Sequence, residues 1–257
     1  MLCILALVAG ACGSESATLD NAQKPPSPHL GRLVVECEYS HTLDDDPIVA
    51  PGEPGASHSH DFFGNTAVDA DTSDASLYDL DDTSCAMKSD GASYWAPTVL
   101  LAGVPQTPLS VDAYYRAGRT VDPATVEVYP EGLKVIAGDS SATEPQPFDV
   151  IGWSCGQNNR RHHLPPDCGA GAGLTLRISF PDCWDGVRLD APDHASHMAY
   201  SQTDGCPDTH PHALLELEMV ILYDISGPVE GLELSSGSPL TAHADFYNGW
   251  DTGVLQR

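Results

Sequence analysis

From residue 32 onward, apolar, β-branched and aromatic residues come in short runs separated by turn-like breaks such as GVPQTP, YPEG and AGDSS. The runs are RLVVECEY (32–39), APTVLLAG (96–103), VDAYYRAG (111–118), TVEVYP (125–130), LKVIAG (133–138), FDVIGWSC (148–155), LTLRISF (174–180) and LLELEMVILYDI (214–225). In LTLRISF, Leu176, Ile178 and Phe180 alternate with Arg177 and Ser179, the period of a half-buried strand. Leu215, Leu217 and Met219 alternate in the same way, which favours strand over helix for the last run. Long helical periodicity and internal repeats are absent. The pattern predicts an all-β fold, a single-domain β-sandwich or jelly roll with long loops, over residues 31–257.

The N-terminus follows a different pattern. Residues 1–11 form an apolar run too short to span a bilayer, ending in Ala9-Gly10-Ala11. Cys12 follows directly, so residues 1–12 are expected to be an export leader of the lipoprotein kind, with Cys12 as the lipid-bearing residue. No Lys or Arg precedes the run, and Ala9 stands where a larger aliphatic residue is usual. Residues 13–30 are polar and contain Pro and Ser, as a flexible tether would. The expected location is extracellular or at the cell surface.

The cysteines agree with export. Cys37, Cys85, Cys155, Cys168, Cys183 and Cys206 form an even set, and no CxxC suggests a zinc ribbon. Pairing 37–85, 155–168 and 183–206 closes three local loops and is the expected connectivity. Each crosslink is worth about 3–4 kcal/mol in the chain-entropy picture.

Charge narrows the partners. The net charge is −26, from 37 Asp+Glu against 11 Lys+Arg. Such a field repels phosphate backbones, which argues against nucleic acid. Membrane contact is expected only through a lipid on Cys12. The acidic stretches TLDDD (42–46) and YDLDD (78–82) read as solvated surface, with salt adaptation or divalent-cation binding as the alternatives. DADTSD (69–74) lacks the glycine and terminal Glu of a calcium loop and reads as a turn.

Candidate chemistry centres on the 11 histidines. In HSHDFFGN (58–65), an extended backbone puts His58 and His60 on one face, with Asp61 beside them. Two such imidazoles can ligate a divalent metal or act as an acid/base pair, or one can cap a turn while the other is solvated. In FPDCWDGVRLDAPDHASHMAY (180–200), Trp184 and Asp185 adjoin Cys183, with Arg188, Asp193, His194 and His197 following. A fixed aromatic ring beside guanidinium and carboxylate groups suits sugar recognition; a core tryptophan beside a turn-capping Asp is the plainer reading. THPH (209–212), HADFYNGW (243–250, with His243 and Asp245 two apart) and SYWAPT (93–98, with Tyr94 and Trp95) complete the set. RRHH (160–163) is the densest positive spot; it can meet an anionic substrate or be a solvated loop. GxSxG, P-loop, GxGxxG and HExxH motifs are absent.

HSHDFFGN, SYWAPT, YPEGLKVIAGD, FPDCWDG, DHASHMAY, CPDTHP and HADFYNGW occur in that order from about Leu33 to the C-terminus. In this combination the chain resembles the secreted family of domain of unknown function nineteen-ninety-six, common in fungi and some bacteria. Fungal members often travel with WSC carbohydrate-binding domains and often carry a further C-terminal cysteine, whereas this chain ends at VLQR. The residues that the resemblance carries over are His58, His60, Tyr94, Trp95, Trp184, Asp185, His197, His210, His243 and Asp245.

The resemblance implies work on extracellular or cell-wall polysaccharide. A hydrolase would draw its two carboxylates from Asp61, Asp185 and Asp245. A lyase would take His58, His60, His197 or His243 as base and Tyr94 or Tyr200 as acid, with Arg188 neutralising a uronate. Trp95, Trp184, Arg188 and His210 are the candidate substrate-binding residues. The alternatives are a non-catalytic carbohydrate-binding or adhesion module and, third, a lipoprotein that binds metal through His58 and His60 with His197 or His243.

Overall fold

The computed structural model describes residues 31–78, 82–158 and 160–255; the leader, Cys12 and the tether lie outside them. Among the described residues, fifteen strands follow one another. They are β1 (Leu33–Leu43), β2 (His60–Gly64), β3 (Ser93–Pro97), β4 (Val99–Leu101), β5 (Val104–Gln106), β6 (Ser110–Ala117), β7 (Lys134–Gly138) and β8 (Ile151–Cys155). There follow β9 (Leu174–Ser179), β10 (Cys183–Trp184), β11 (Met198–Ala199), β12 (His212–Ala213), β13 (Leu215–Tyr223), β14 (Leu232–Leu234) and β15 (His243–Tyr247). Nine of them form one sheet in the order β7-β15-β3-β2-β1-β6-β13-β9-β8, and its pairings are antiparallel. Two three-stranded sheets, β11-β10-β12 and β14-β4-β5, flank it. Among the described residues, no helix is long and apolar enough to cross a membrane.

The large sheet curls until β7 touches β9, so one of its faces encloses the main core. Alternate residues supply that core: Val35 and Cys37 from β1, Ala113 and Tyr115 from β6, Leu217, Met219 and Ile221 from β13, Leu176 and Ile178 from β9. The strand alternation read from the sequence is therefore the inside–outside alternation of a sheet closing on itself. The expected all-β fold is present.

The outer face differs from one part of the sheet to another. Over β2, β3 and β15, the chain between β1 and β2 and the segment after β2 cover a second small core of Ile48, Phe62, Val68, Leu77, Trp95 and Tyr247. Residues in these three strands are buried whichever way they point. Over β6, β13 and β9 the outer face carries Arg116, Glu218 and Arg177 instead.

Cys37–Cys85, Cys155–Cys168 and Cys183–Cys206 are bonded, the three local closures. Such bonds belong to an oxidising compartment outside the cytoplasm. One expected strand is missing. At TVEVYP, a 3-10 turn over Pro123–Thr125, capped by the Asp122 side chain, takes in the first residue, and Glu127 makes only an isolated bridge to Leu214. Proline at the start of the turn pre-sets its backbone angle and donates no ladder hydrogen bond.

Candidate metal centre

His60 opens β2, and His243 opens β15; β3 lies between the two strands. On that outer face the backbone alternation aligns His60 with Phe62, and His243 with Asp245 and Tyr247. His58, just before β2, leans back over the pair. Its ring centre is 4.3 Å from that of His60 and 5.0 Å from that of His243.

Each inner imidazole is held by a backbone carbonyl. His60 Nδ1 donates to the Asp45 carbonyl at 2.9 Å, and His243 Nδ1 donates to the Thr241 carbonyl at 2.8 Å. These bonds fix the tautomer, so both Nε2 lone pairs are free and face inward. His60 Nε2 is buried without a partner. His243 Nε2 lies 3.2 Å from His58 Nε2. Ligand atoms of His58, His60 and His243 all lie within 4.8 Å of one another.

Two carboxylates lie within reach of His60. Asp46, His60 and Asp245 form a second group with ligand atoms within 4.8 Å, so His60 belongs to both sets. Asp245 is 1 % exposed, and neither of its oxygens has a partner. Asp46 uses one oxygen to accept the Ile48 and Val49 amides, both at 2.9 Å.

The electrostatics have one theme. Burial, with the His58 and His243 charges adding to it, holds His60 well below the ordinary histidine range. Burial pushes His243 down to about 4. Burial, and then Asp46, pushes Asp245 well above the carboxylate range. Every group thus avoids its own charge for want of a counter-charge. A divalent cation would supply it and accept the idle lone pairs. The 3.2 Å separation of the two Nε2 atoms also suits two ligands of one tetrahedral ion, for which metal–nitrogen bonds of about 2.0–2.1 Å place the nitrogens about 3.3 Å apart. Imidazole with carboxylate and no thiolate fits zinc and its neighbours in the first transition row. Cys37, Cys85 and Asp90 are also close together, but the two sulfurs are bonded to each other.

The other candidate residues lie elsewhere. Tyr94 points to the opposite face of β3, into the main core, where its hydroxyl donates to Asp90 at 2.7 Å and contacts Tyr115. Asp61 likewise faces away from His60 and accepts from Thr42 at 2.6 Å and Thr98 at 3.0 Å. Trp95 shares the outer face, but it is 0 % exposed and stacks on Phe62, so it is a wall beneath the centre and no open platform.

A separate group forms around β10. Trp184 Nε1 donates to the Arg188 carbonyl at 2.6 Å, and Arg188 pairs with Asp185 at 2.6 Å. Arg188 also donates to the Ser196 carbonyl, which His210 approaches at 3.2 Å. His197 is buried and donates through Nε2 to the Lys134 carbonyl at 2.6 Å. Trp184, Asp185, Arg188 and His210 spend polar atoms on one another and on the backbone, whereas His197 Nδ1 is buried without a partner. Tyr200 donates to the Ser179 carbonyl at 3.0 Å.

Asp46 is the member of the centre that sequence reasoning missed. TLDDD reads as solvated acid, yet Asp45 and Asp46 are 7 % and 4 % exposed. Asp45 accepts the amides of Gly55 and Ala70, pinning the covering loop over the histidines. The signal for it was the sequence that follows, Pro47-Ile48-Val49 and then PGEPG, an apolar pair and a tight loop in place of more polar chain.

The family model described as "Domain of unknown function (DUF1996)" matches residues 46–250, so its match begins at Asp46 and takes in all five residues of the centre. No curated protein and no solved structure matches the chain.

Proposed function

The chain belongs to the DUF1996 family, and on that premise we propose a secreted protein that acts on extracellular or cell-wall polysaccharide through a divalent-metal centre. His58, His60 and His243 are its imidazole ligands, and Asp245 and Asp46 are the carboxylates beside them. One observation carries the reading: His60 Nε2 is buried without a partner where three imidazoles converge, and both oxygens of Asp245, in the adjoining group that shares His60, are buried without one as well. Buried polar atoms in native proteins are as a rule satisfied, and a cation beside His60 would supply the missing partner. Polysaccharide as the substrate class rests on the company of WSC domains that the family keeps.

The half-buried His58 is the solvent side of the centre. A bound ion there would lower the pKa of a coordinated water or polarise a sugar carboxylate, the needs of a hydrolase and of a lyase respectively. A non-catalytic binding module is the second reading. It draws on the half-buried Trp184, held by its neighbouring disulfide and by its bond to Arg188. Lipidation at Cys12 would tether either form to the cell surface.

The test begins with metal analysis of the purified mature protein after dialysis against zinc, copper, manganese or calcium. The loaded and chelated forms are then incubated with neutral glucans and with uronate-containing polymers. New reducing ends, or the ultraviolet absorbance of unsaturated ends, in the loaded form alone would support the proposal. Retention of polymer without cleavage would give the second reading, and a protein that takes up no ion would overturn the centre.

A further inference from the structure

Five of the chain's eight arginines line a single cleft, in a protein whose net charge is −26. They are Arg32, Arg116, Arg119, Arg161 and Arg177, and the cleft encloses about 500 Å³. Its floor is the outer face of β6, β13 and β9. Arg116 from β6 and Arg177 from β9 flank Glu218 of β13, at 2.9 Å and 3.6 Å. Arg161 reaches in from the loop after β8 and donates to the same carboxylate.

The cleft is built into the fold. Arg177 has a side chain only 8 % exposed, and its Nε donates to Ser154 at 3.3 Å. The stem of Arg161 lies directly on Gly152 of β8, where any Cβ would stand 2.7–2.9 Å from it. Glycine is therefore required there so that the arginine can lie flat on the sheet.

Positive charge is in excess. Arg116 also pairs with Glu216, so Glu216 and Glu218 between them engage Arg116, Arg161 and Arg177. Among the described residues, neither Arg32 nor Arg119 has a carboxylate in salt-bridge range; Arg32 lies over the Tyr114 ring, and Arg119 is exposed. Burial pushes Arg161 below the usual guanidinium range, Glu218 opposes this, and Arg177, Arg119 and Arg116 add to it. Like charges held this close need an anion among them. All are arginine and none is lysine, the choice that suits planar, two-pronged contact with an oxyanion.

We propose that this cleft is a binding site for an oxyanion, a carboxylate, sulfate or phosphate group carried on a ligand up to the size of a sugar residue. The site is independent of the histidine centre, which β2, β3 and β15 carry. Arg32 and Arg119, unpaired and at the rim, close on the anion. Arg177 and Arg161 form the fixed wall behind it, and the two glutamates hold that wall in place.

The test is calorimetric titration of the full mature protein with sodium sulfate, sodium phosphate and sodium glucuronate. Constant ionic strength in chloride and a chelator remove screening differences and any cation at the histidines. Saturable binding of at least one oxyanion is expected, with glucose giving none. Arg119→Ser and Arg32→Ser, which break no ion pair, should each weaken it about tenfold. Arg160→Ser, the charge control outside the cleft lining, should leave it unchanged. Preference for glucuronate would assign a sugar carboxylate, and preference for sulfate or phosphate would assign an ester or free anion. Absence of saturation with all three anions, or equal loss in Arg160→Ser, would overturn the site.

Discussion

His58 and His243 bring their Nε2 atoms to 3.2 Å although 185 residues separate them in the chain. His243 Nδ1 already gives its hydrogen to Thr241, so the neutral His243 ring offers only a lone pair at this meeting point. Without an ion, His58 must bring the proton. With an ion, both rings become ligands.

Removal of a buried imidazole should therefore empty the centre. His60→Ala and His243→Ala should bind less than one ion per chain by metal analysis. Wild type, with its ion at a hundredfold excess over Kd, should gain about 2.7 kcal/mol of stability, a rise in Tm of about 5–10 °C. The half-buried His58 offers the cleaner variant: His58→Ala should keep the chelated protein's Tm while losing most of that rise.

Asp245→Asn should act with opposite signs in the two forms. In chelated protein the buried acid is already held neutral, so the amide should cost little, within about 1 kcal/mol. In loaded protein the lost carboxylate should weaken ion binding and shrink the thermal shift. Paired melting curves with and without chelator read both effects. A large loss of stability in the chelated form alone would count against the assignment.

Asp90 should make stability fall as pH rises. Burial pushes its carboxyl up to about 7, while Tyr94 and the Ala92 amide pull it down. The folded state thus keeps a proton that the unfolded chain gives up near pH 4. The contribution is full below about pH 4 and is lost as pH climbs through about 7, on the order of a few kcal/mol. Asp90→Asn should flatten this part of the profile in denaturant titrations from pH 4 to 7.

Gly138→Ala should damage the centre without touching a ligand. Gly138 faces His243 across the β7–β15 ladder with a φ of +86°, and a Cβ there would stand 2.6 Å from the Ala242 carbonyl. The start of β15 would have to shift. A loss of about 1–3 kcal/mol is expected from the backbone strain alone. Ion affinity measured by calorimetry should fall as well.

The sequence made some strands plain and hid others. β1, β6 and β13 alternate because one face meets the core, β9 alternates because its other, equally buried face carries Thr175, Arg177 and Ser179, and the runs over them were read as strands. In β2, β3 and β15 both faces are buried, and HDFFG, SYWAP and HADFY drew notice for their residue types and not as strand runs. Residue type still picked out His58, His60, His243 and Asp245. It also picked out Trp184, Asp185, Arg188 and His210, whose polar groups close their own loops, and His197, which donates to the Lys134 carbonyl. One-dimensional spacing does not distinguish a side chain spent on its neighbours from one left idle. Asp46 was lost for the converse reason: its acidic surroundings resemble solvent-facing chain until the loop folds over the sheet.

Because β3 stands between the strands of His60 and His243, the spacing of their backbones is fixed by the sheet ladder and not by any ion. On the proposed reading, the polypeptide would reach its finished shape first and take up an ion later, outside the cytoplasm. The ion would then be set by whatever the surroundings supply.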